Sequence, residues 1–247
     1  MVTSTAGLLK LVVTPGPAEL AEAAASLVRA RLEAKPDLVM AVPAGRTPRP
    51  MYALLRERQA REPVDYSRMR VFCVDELCPP APRDGYFWRQ IAAEFLAWAA
   101  VPARRCHPFR VDAEDLDAMC RAYEAAIAEV GGLDLVMLGL GPNAHLASNE
   151  PGAAFDSTVR AVPLLAETVR YILTDEVIQG AVCEAAVTLG VATIMAAREV
   201  VVLVSGRAKR EALGRLLDGP ITPALPASAL RRHPAYTILA DSDARPD

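Results

Sequence analysis

Apolar positions along this chain recur with two alternating periods. Leu8 to Val13 is a short apolar run closed by Thr14 to Pro17, which predicts a strand. Leu20, Ala24, Leu27, Val28 and Leu32 then recur at helical spacing until Lys35-Pro36 ends the helix. Leu38 to Val42 reads as a second strand, followed by a helix from Arg49 to about Glu57. Arg70 to Glu76 reads as a third strand that ends on two carboxylates, and Tyr86 to Trp98 as a helix with Phe87, Ile91, Phe95 and Trp98 in one stripe. Arg105 to Phe109 is a strand or connector. The next helix carries Leu116, Cys120, Tyr123, Ile127 and Val130 on one face. Asp112 is its expected cap, Asp115 stands three residues on, and Gly131-Gly132 stops it.

A central strand follows: Leu133 and Leu135 to Leu138, broken by Asp134 and closed by Gly139-x-Gly141-Pro142. Such a run suits a strand buried on both faces. Thr188 to Ala197 reads as a helix, Glu199 to Val204 as a buried strand, Arg210 to Leu217 as a helix and Leu225 to Leu230 as a short capped helix. His233 to Asp241 is the closing strand and Ser242 to Asp247 a frayed tail. Strands alternating with helices predict an α/β fold of Rossmann-like type, a mainly parallel sheet with helices on both faces. With no repeat or linker in sight, residues 1–247 read as one domain.

Composition narrows the function. Of 247 residues 52% are hydrophobic, enough for a large core, and the net charge of −3 is scattered. No basic patch interleaves with aromatics, so no nucleic-acid partner is expected. No apolar run reaches membrane-spanning length. Met1 to Thr5 lacks a basic segment, and Lys10 interrupts Leu8 to Val13, so no leader is expected and the cytoplasm is the expected compartment. Five cysteines fit neither a zinc spacing nor a disulfide framework; Cys73 and Cys120 read as core thiols.

Three stretches carry chemistry. After the central strand the chain presents Asn143, His145, Asn149 and Glu150 within eight residues. A histidine and a glutamate at the carboxyl end of a buried strand read as an acid/base site, against the even alternative of a histidine that only satisfies loop carbonyls. The turn Ala44-Gly45-Arg46-Thr47 after the second strand could cradle a phosphate, with Thr47 as N-cap and Pro48 first in the helix, although taken alone it is more often an ordinary turn. Ser205 to Lys209, a strand-to-helix junction with a lysine in the first helical turn, is a second anion-binding arrangement. His107 and His233 are assigned no catalytic role.

The run Gly139 to Gly152, with Asn149-Glu150-Pro151-Gly152 and the following Phe155-Asp156-Ser157, resembles the signature of the glucosamine-6-phosphate deaminase/isomerase family, whose relatives are the 6-phosphogluconolactonases. The resemblance extends over nearly the whole chain. It implies an amino-sugar 6-phosphate as small-molecule substrate, isomerised and deaminated with no metal or organic cofactor. His145 would assist ring opening, flanked by Asn143 and Glu150, and Asp75 would move a proton between C2 and C1. Ala44, Gly45, Arg46, Thr47, Glu76, Gly139, Arg170 and Lys209 would bind the substrate, Arg170 from a lid over the site. A homo-oligomer is compatible with it, since relatives form monomers, trimers and hexamers. Ala153, Arg160 and Val162 stand at a regulatory site's serine, arginine and lysine, so that site is expected to be lost.

The chain departs from the family pattern at several points. Asn143 stands where the family usually has Asp, Ala144 where Gly usually follows, Ser148 where Phe is common, and Arg46 where a small residue is usual. An amide carries no charge, so it should raise the imidazole pKa less than a carboxylate would. Two alternatives stay open beside the deaminase: a lactonase in which His145 activates water, and a sugar-phosphate-binding protein without turnover.

Overall fold

Strands whose successive residues are all apolar must be covered on both faces, and this requirement organises the fold. The computed structural model describes residues 10–78, 85–178 and 184–246. In chain order its elements are β1 (Lys10–Thr14), α1 (Pro17–Ala34), β2 (Val39–Val42), α2 (Arg49–Arg61), β3 (Arg70–Cys73), β4 (Asp75–Leu77) and α3 (Phe87–Ile91). A π-helical turn (Ala92–Leu96), α4 (Ala97–Ala99), β5 (Cys106–His107), α5 (Leu116–Glu129) and β6 (Leu135–Gly139) come next. The chain closes with β7 (Arg160–Pro163), α6 (Ala166–Ile172), β8 (Ala185–Thr188), α7 (Val191–Met195), β9 (Glu199–Val204), α8 (Arg210–Asp218) and β10 (Tyr236–Asp241).

Seven strands form one parallel sheet in the order β1-β10-β9-β6-β2-β3-β5. All four residues of β2 and the last five of β9 are buried, so helices cover both faces, as the alternation predicts. Helix α1 packs on α2 and β10, and the aromatic stripe of the α3–α4 stretch stacks inward, Phe95 on Tyr52 at 5.3 Å between ring centroids. No helix of the described residues is long and apolar enough to cross a membrane.

Several local expectations are corrected. Arg70 to Glu76 is not one strand. The chain leaves the parallel sheet at Val74, and Asp75–Leu77 pairs antiparallel with β8 in a second sheet, β4-β8-β7. Thr188 accordingly ends a strand rather than opening a helix, and α7 starts at Val191. Asp115, not Asp112, caps α5, accepting the Ala118 N–H at 2.8 Å. Thr47 caps nothing: α2 begins at Arg49 with Pro48 at the cap position in helical conformation, which leaves Thr47 free to line a cleft. The tail is not frayed, because Ala244 is fully buried and donates to the Asp241 carboxylate at 2.8 Å. Part of the expected first strand, the loop 79–83 and Cys183 lie outside the described residues. His233 is structural, as expected, with Nε2 at 2.9 Å from the Ala197 carbonyl.

Glu76 holds the second sheet to α3. Its buried carboxylate accepts four backbone N–H groups, from Leu77, Tyr86, Phe87 and Trp88, at 2.8–3.0 Å. Gly85 makes this possible: it has φ +68°, and a Cβ there would lie 2.1 Å from Glu76 Oε2. Removing the carboxylate strands several buried donors, so Glu76→Ala should lower unfolding free energy by roughly 2–4 kcal/mol. Urea denaturation checks this; a loss within about 0.5 kcal/mol, the range of surface substitutions, would contradict it.

Candidate active site

Strands β9, β6, β2 and β3 are neighbours and run parallel, so their carboxyl ends open on the same edge of the sheet. A cleft of about 150 Å³ lies there, where ligands collect in open α/β sheets. Ala44, Gly45, Arg46 and Thr47 reach it after β2, Asp75 after β3, Gly139 and His145 at and after β6, and Lys209 after β9. From outside the parallel sheet, α6 adds Thr168, Tyr171 and Ile172.

His145 lies at one end of the cleft. The His145 ring lies flat against Gly141, where an added Cβ would sit 2.3 Å from the imidazole. Its Nδ1 stands 3.7 Å from Glu150 Oε2, an ion-pair distance too long for a full hydrogen bond. Burial alone would raise the Glu150 pKa. Groups on His145, Thr168 and Asn143 outweigh burial and hold it at about 2. The Asn143 carbonyl accepts the His145 backbone N–H at 3.2 Å, and its amide group donates to Glu150 at 2.9 Å and to Glu167 at 3.0 Å. Ala144 adopts φ +66°, a left-handed conformation that favours glycine, so the alanine there carries about 1 kcal/mol of strain.

Asp75 lies at the bend between the two sheets. Burial pushes its carboxyl group up to about 7; the Ser148 hydroxyl, donating at 2.8 Å, pulls it down, and neighbouring Glu76 pushes it up. Ser148 is itself fixed by its backbone N–H, which donates to Thr188 Oγ1 at 3.1 Å. Asn149, the motif's other polar residue, is wholly buried and donates to the Leu146 and Leu189 carbonyls, so it shapes the turn rather than facing the cleft.

Lys209 and Arg46 lie at the other end. Lys209 is 5% exposed, and its Nζ lies 4.2 Å from the Tyr171 ring centroid, with the Arg46 guanidinium 4.9 Å from the same centroid. Burial lowers the Lys209 pKa, and the Arg46 charge lowers it further. Burial raises the Tyr171 pKa, but the two cations outweigh it and the net direction is down. Two cations thus meet on one phenol ring at this end of the cleft. The N–H of Gly45 is not free for an anion, since Gln90 Oε1 accepts it at 3.0 Å.

Four expected residues do not line the cleft: Asn143 and Glu150, which sit beside His145, and Glu76 and Arg170. Glu76 is spent on the α3 amides. Arg170 is exposed, with Nε donating to the Ala166 carbonyl at 3.2 Å. Helical phase explains it: Thr168, Tyr171 and Ile172 fall at i, i+3 and i+4 on the inner face, which turns Arg170 outward. That phase, read from the sequence, would have identified Thr168 and Tyr171. The roles of Gln90, Ser148 and Glu167 depend on tertiary contacts and have no local signal.

The fold and the site can be set against known proteins. The family described as Glucosamine-6-phosphate isomerases/6-phosphogluconolactonase matches residues 16–239. The glucosamine-6-phosphate deaminase of Shouchella clausii (strain KSM-K16) is 34% identical over 231 residues, covering 92% of each chain. That of Arthrobacter sp. (strain FB24) is 33% identical over 237 residues, covering 96% of this chain and 91% of its own. A solved monomeric glucosamine-6-phosphate deaminase superposes with a TM-score of 0.90 at 30% identity, covering 95% of this chain and 98% of its own. The 6-phosphogluconolactonase of Trypanosoma cruzi shares the fold, with a TM-score of 0.78 at 23% identity over 98% of both chains. The chain therefore belongs to the glucosamine-6-phosphate isomerase/6-phosphogluconolactonase family.

Proposed function

We propose that this protein converts an amino-sugar 6-phosphate, glucosamine 6-phosphate or a close analogue, into the ketose phosphate and ammonia. The observation that carries this reading is Asp75, a carboxyl group raised to about 7 in a cleft whose far end holds Lys209 and Arg46. Lys209, Arg46 and the Ala44–Thr47 turn hold the phosphate. His145, paired with Glu150, moves the proton at the ring oxygen and opens the sugar. Asp75 takes the C2 proton and returns it at C1, a transfer that suits a base poised near neutrality. The resulting imine at C2 takes up water and releases ammonia. Asn143 braces the His145 turn, and Gly139, at the end of β6, lines the cleft as a substrate contact.

The alternatives explain less. Hydrolysis of a lactone needs a water beside His145 and leaves Asp75 without a task. A binding protein that never turns over gains nothing from an acid that weakens its own fold. That weakening follows from linkage. The folded-state pKa of about 7 exceeds the ordinary 3.8, so the folded chain holds the extra proton between these values. Stability is therefore lost as pH rises from about 4 to about 7, and the full penalty remains above 7.

Purified protein given glucosamine 6-phosphate should release ketose phosphate and ammonia in equal amounts. Its kcat/KM should climb through about pH 7 as Asp75 ionises, and Asp75→Asn should lose at least about 10²-fold. Hydrolysis of 6-phosphogluconolactone without deamination would replace this reading with the lactonase. Thermal stabilisation by sugar phosphates without turnover would replace it with the binding protein. In the same variant, melting curves across pH give a second expectation. Asp75→Asn should match the parent near pH 4 and melt higher above pH 7; equal melting temperatures at pH 8 would contradict the raised pKa.

A further inference from the structure

Asn143 makes three side-chain hydrogen bonds and uses both of its amide N–H groups. Its carbonyl oxygen takes the His145 N–H, which fixes which way the amide points, and both of its N–H groups then face carboxylates: Glu150 at 2.9 Å and Glu167 at 3.0 Å. Glu167 lies in the first turn of α6, the helix that lays Thr168 and Tyr171 into the cleft. Near the catalytic turn α6 is otherwise held by the Leu165 N–H, a long 3.3 Å from Glu150 Oε1, and by Thr168 on the same carboxylate.

We infer that Asn143 and Glu167 are a matched pair: the Asn143 amide clasps α6 to the catalytic turn through Glu167, which makes Glu167 a positioning residue for the His145–Glu150 pair. An exposed pair of side chains usually contributes little. This one differs because one planar amide serves three partners, so the lid helix, the carboxylate and the histidine backbone are set together. Aspartate at position 143 keeps the shape and the acceptor, but it turns an oxygen toward two carboxylates about 3 Å away. Either α6 leaves, which loosens the setting of Glu150, or the cluster takes up a proton, which changes the charge that Glu150 presents to His145. Glutamine at position 167 reverses the clasp, because its amide donates to the new aspartate.

The kinetic part rests on the proposed deaminase reading, and the structural part does not. Asn143→Asp should lower kcat/KM by about tenfold or more, and the loss should be at least about threefold smaller when Glu167→Gln is also present. Amide hydrogen exchange over residues 164–173 should be faster in Asn143→Asp and in Glu167→Ala, and should return toward the parent rate in the double variant. Glu167 is exposed, so its alanine variant keeps the fold. A loss from Asn143→Asp that is the same in both backgrounds, or α6 exchange that Asn143→Asp and Glu167→Ala leave unchanged, overturns the pairing. A parent protein with no turnover sinks the deaminase reading, and the exchange measurement then decides the pairing alone.

Discussion

Val74 belongs to two sheets at once. Its N–H donates to the Val42 carbonyl of the parallel sheet, and its own carbonyl accepts the Leu189 N–H beside the antiparallel one. A strand that continued straight would carry the next residues along the parallel sheet. Because the chain turns away here, Asp75 stands at the bend facing the cleft, and Glu76 points back into the interior against α3. The small sheet that begins at Asp75 also carries β7, from which the chain passes into α6. Asp75, the Glu76 brace and α6 thus depend on one residue whose two flanking peptide groups bond in different directions.

The cleft is stable only because its surroundings tolerate unfavourable local states. Asp75 is desolvated, Ala144 sits in a conformation meant for glycine, and Lys209 is buried against another cation's field. Each is a modest penalty, of order 1 kcal/mol or a few, against a core of strands buried on both faces. Such states cluster in the cleft. Burial raises the Glu76 carboxyl as well, and four amide donors offset part of that cost. The two adjacent carboxylates differ in what they face: Asp75 lines the cleft, and Glu76 ties β4 to α3.

The sequence made the parallel sheet legible because fully apolar runs ended by glycine or proline have few other uses. It also placed Asp75, His145, Glu150 and Lys209, since each follows a strand end and parallel strands share that edge. It concealed the second sheet. Arg70 to Glu76 reads as one continuous run, and nothing local marks the departure at Val74. Arg170 faces outward and Tyr171 inward, a difference that the helical phase of α6 carries. Asn143 read as a lost charge. Its partner on α6 is brought near only by folding, and with Glu167 in place the amide is the group that fits.

The cleft divides between two kinds of scaffold. The groups proposed to move protons follow strand ends, where moving one disturbs the core. The residues that close over the far end come from α6, seven residues long and joined to the catalytic turn by polar contacts at its edge. Substrate preference and reaction chemistry can therefore drift apart over evolutionary time. A lineage could exchange this helix for another and act on a different phosphorylated sugar, while the strand ends beneath it went on moving the same protons.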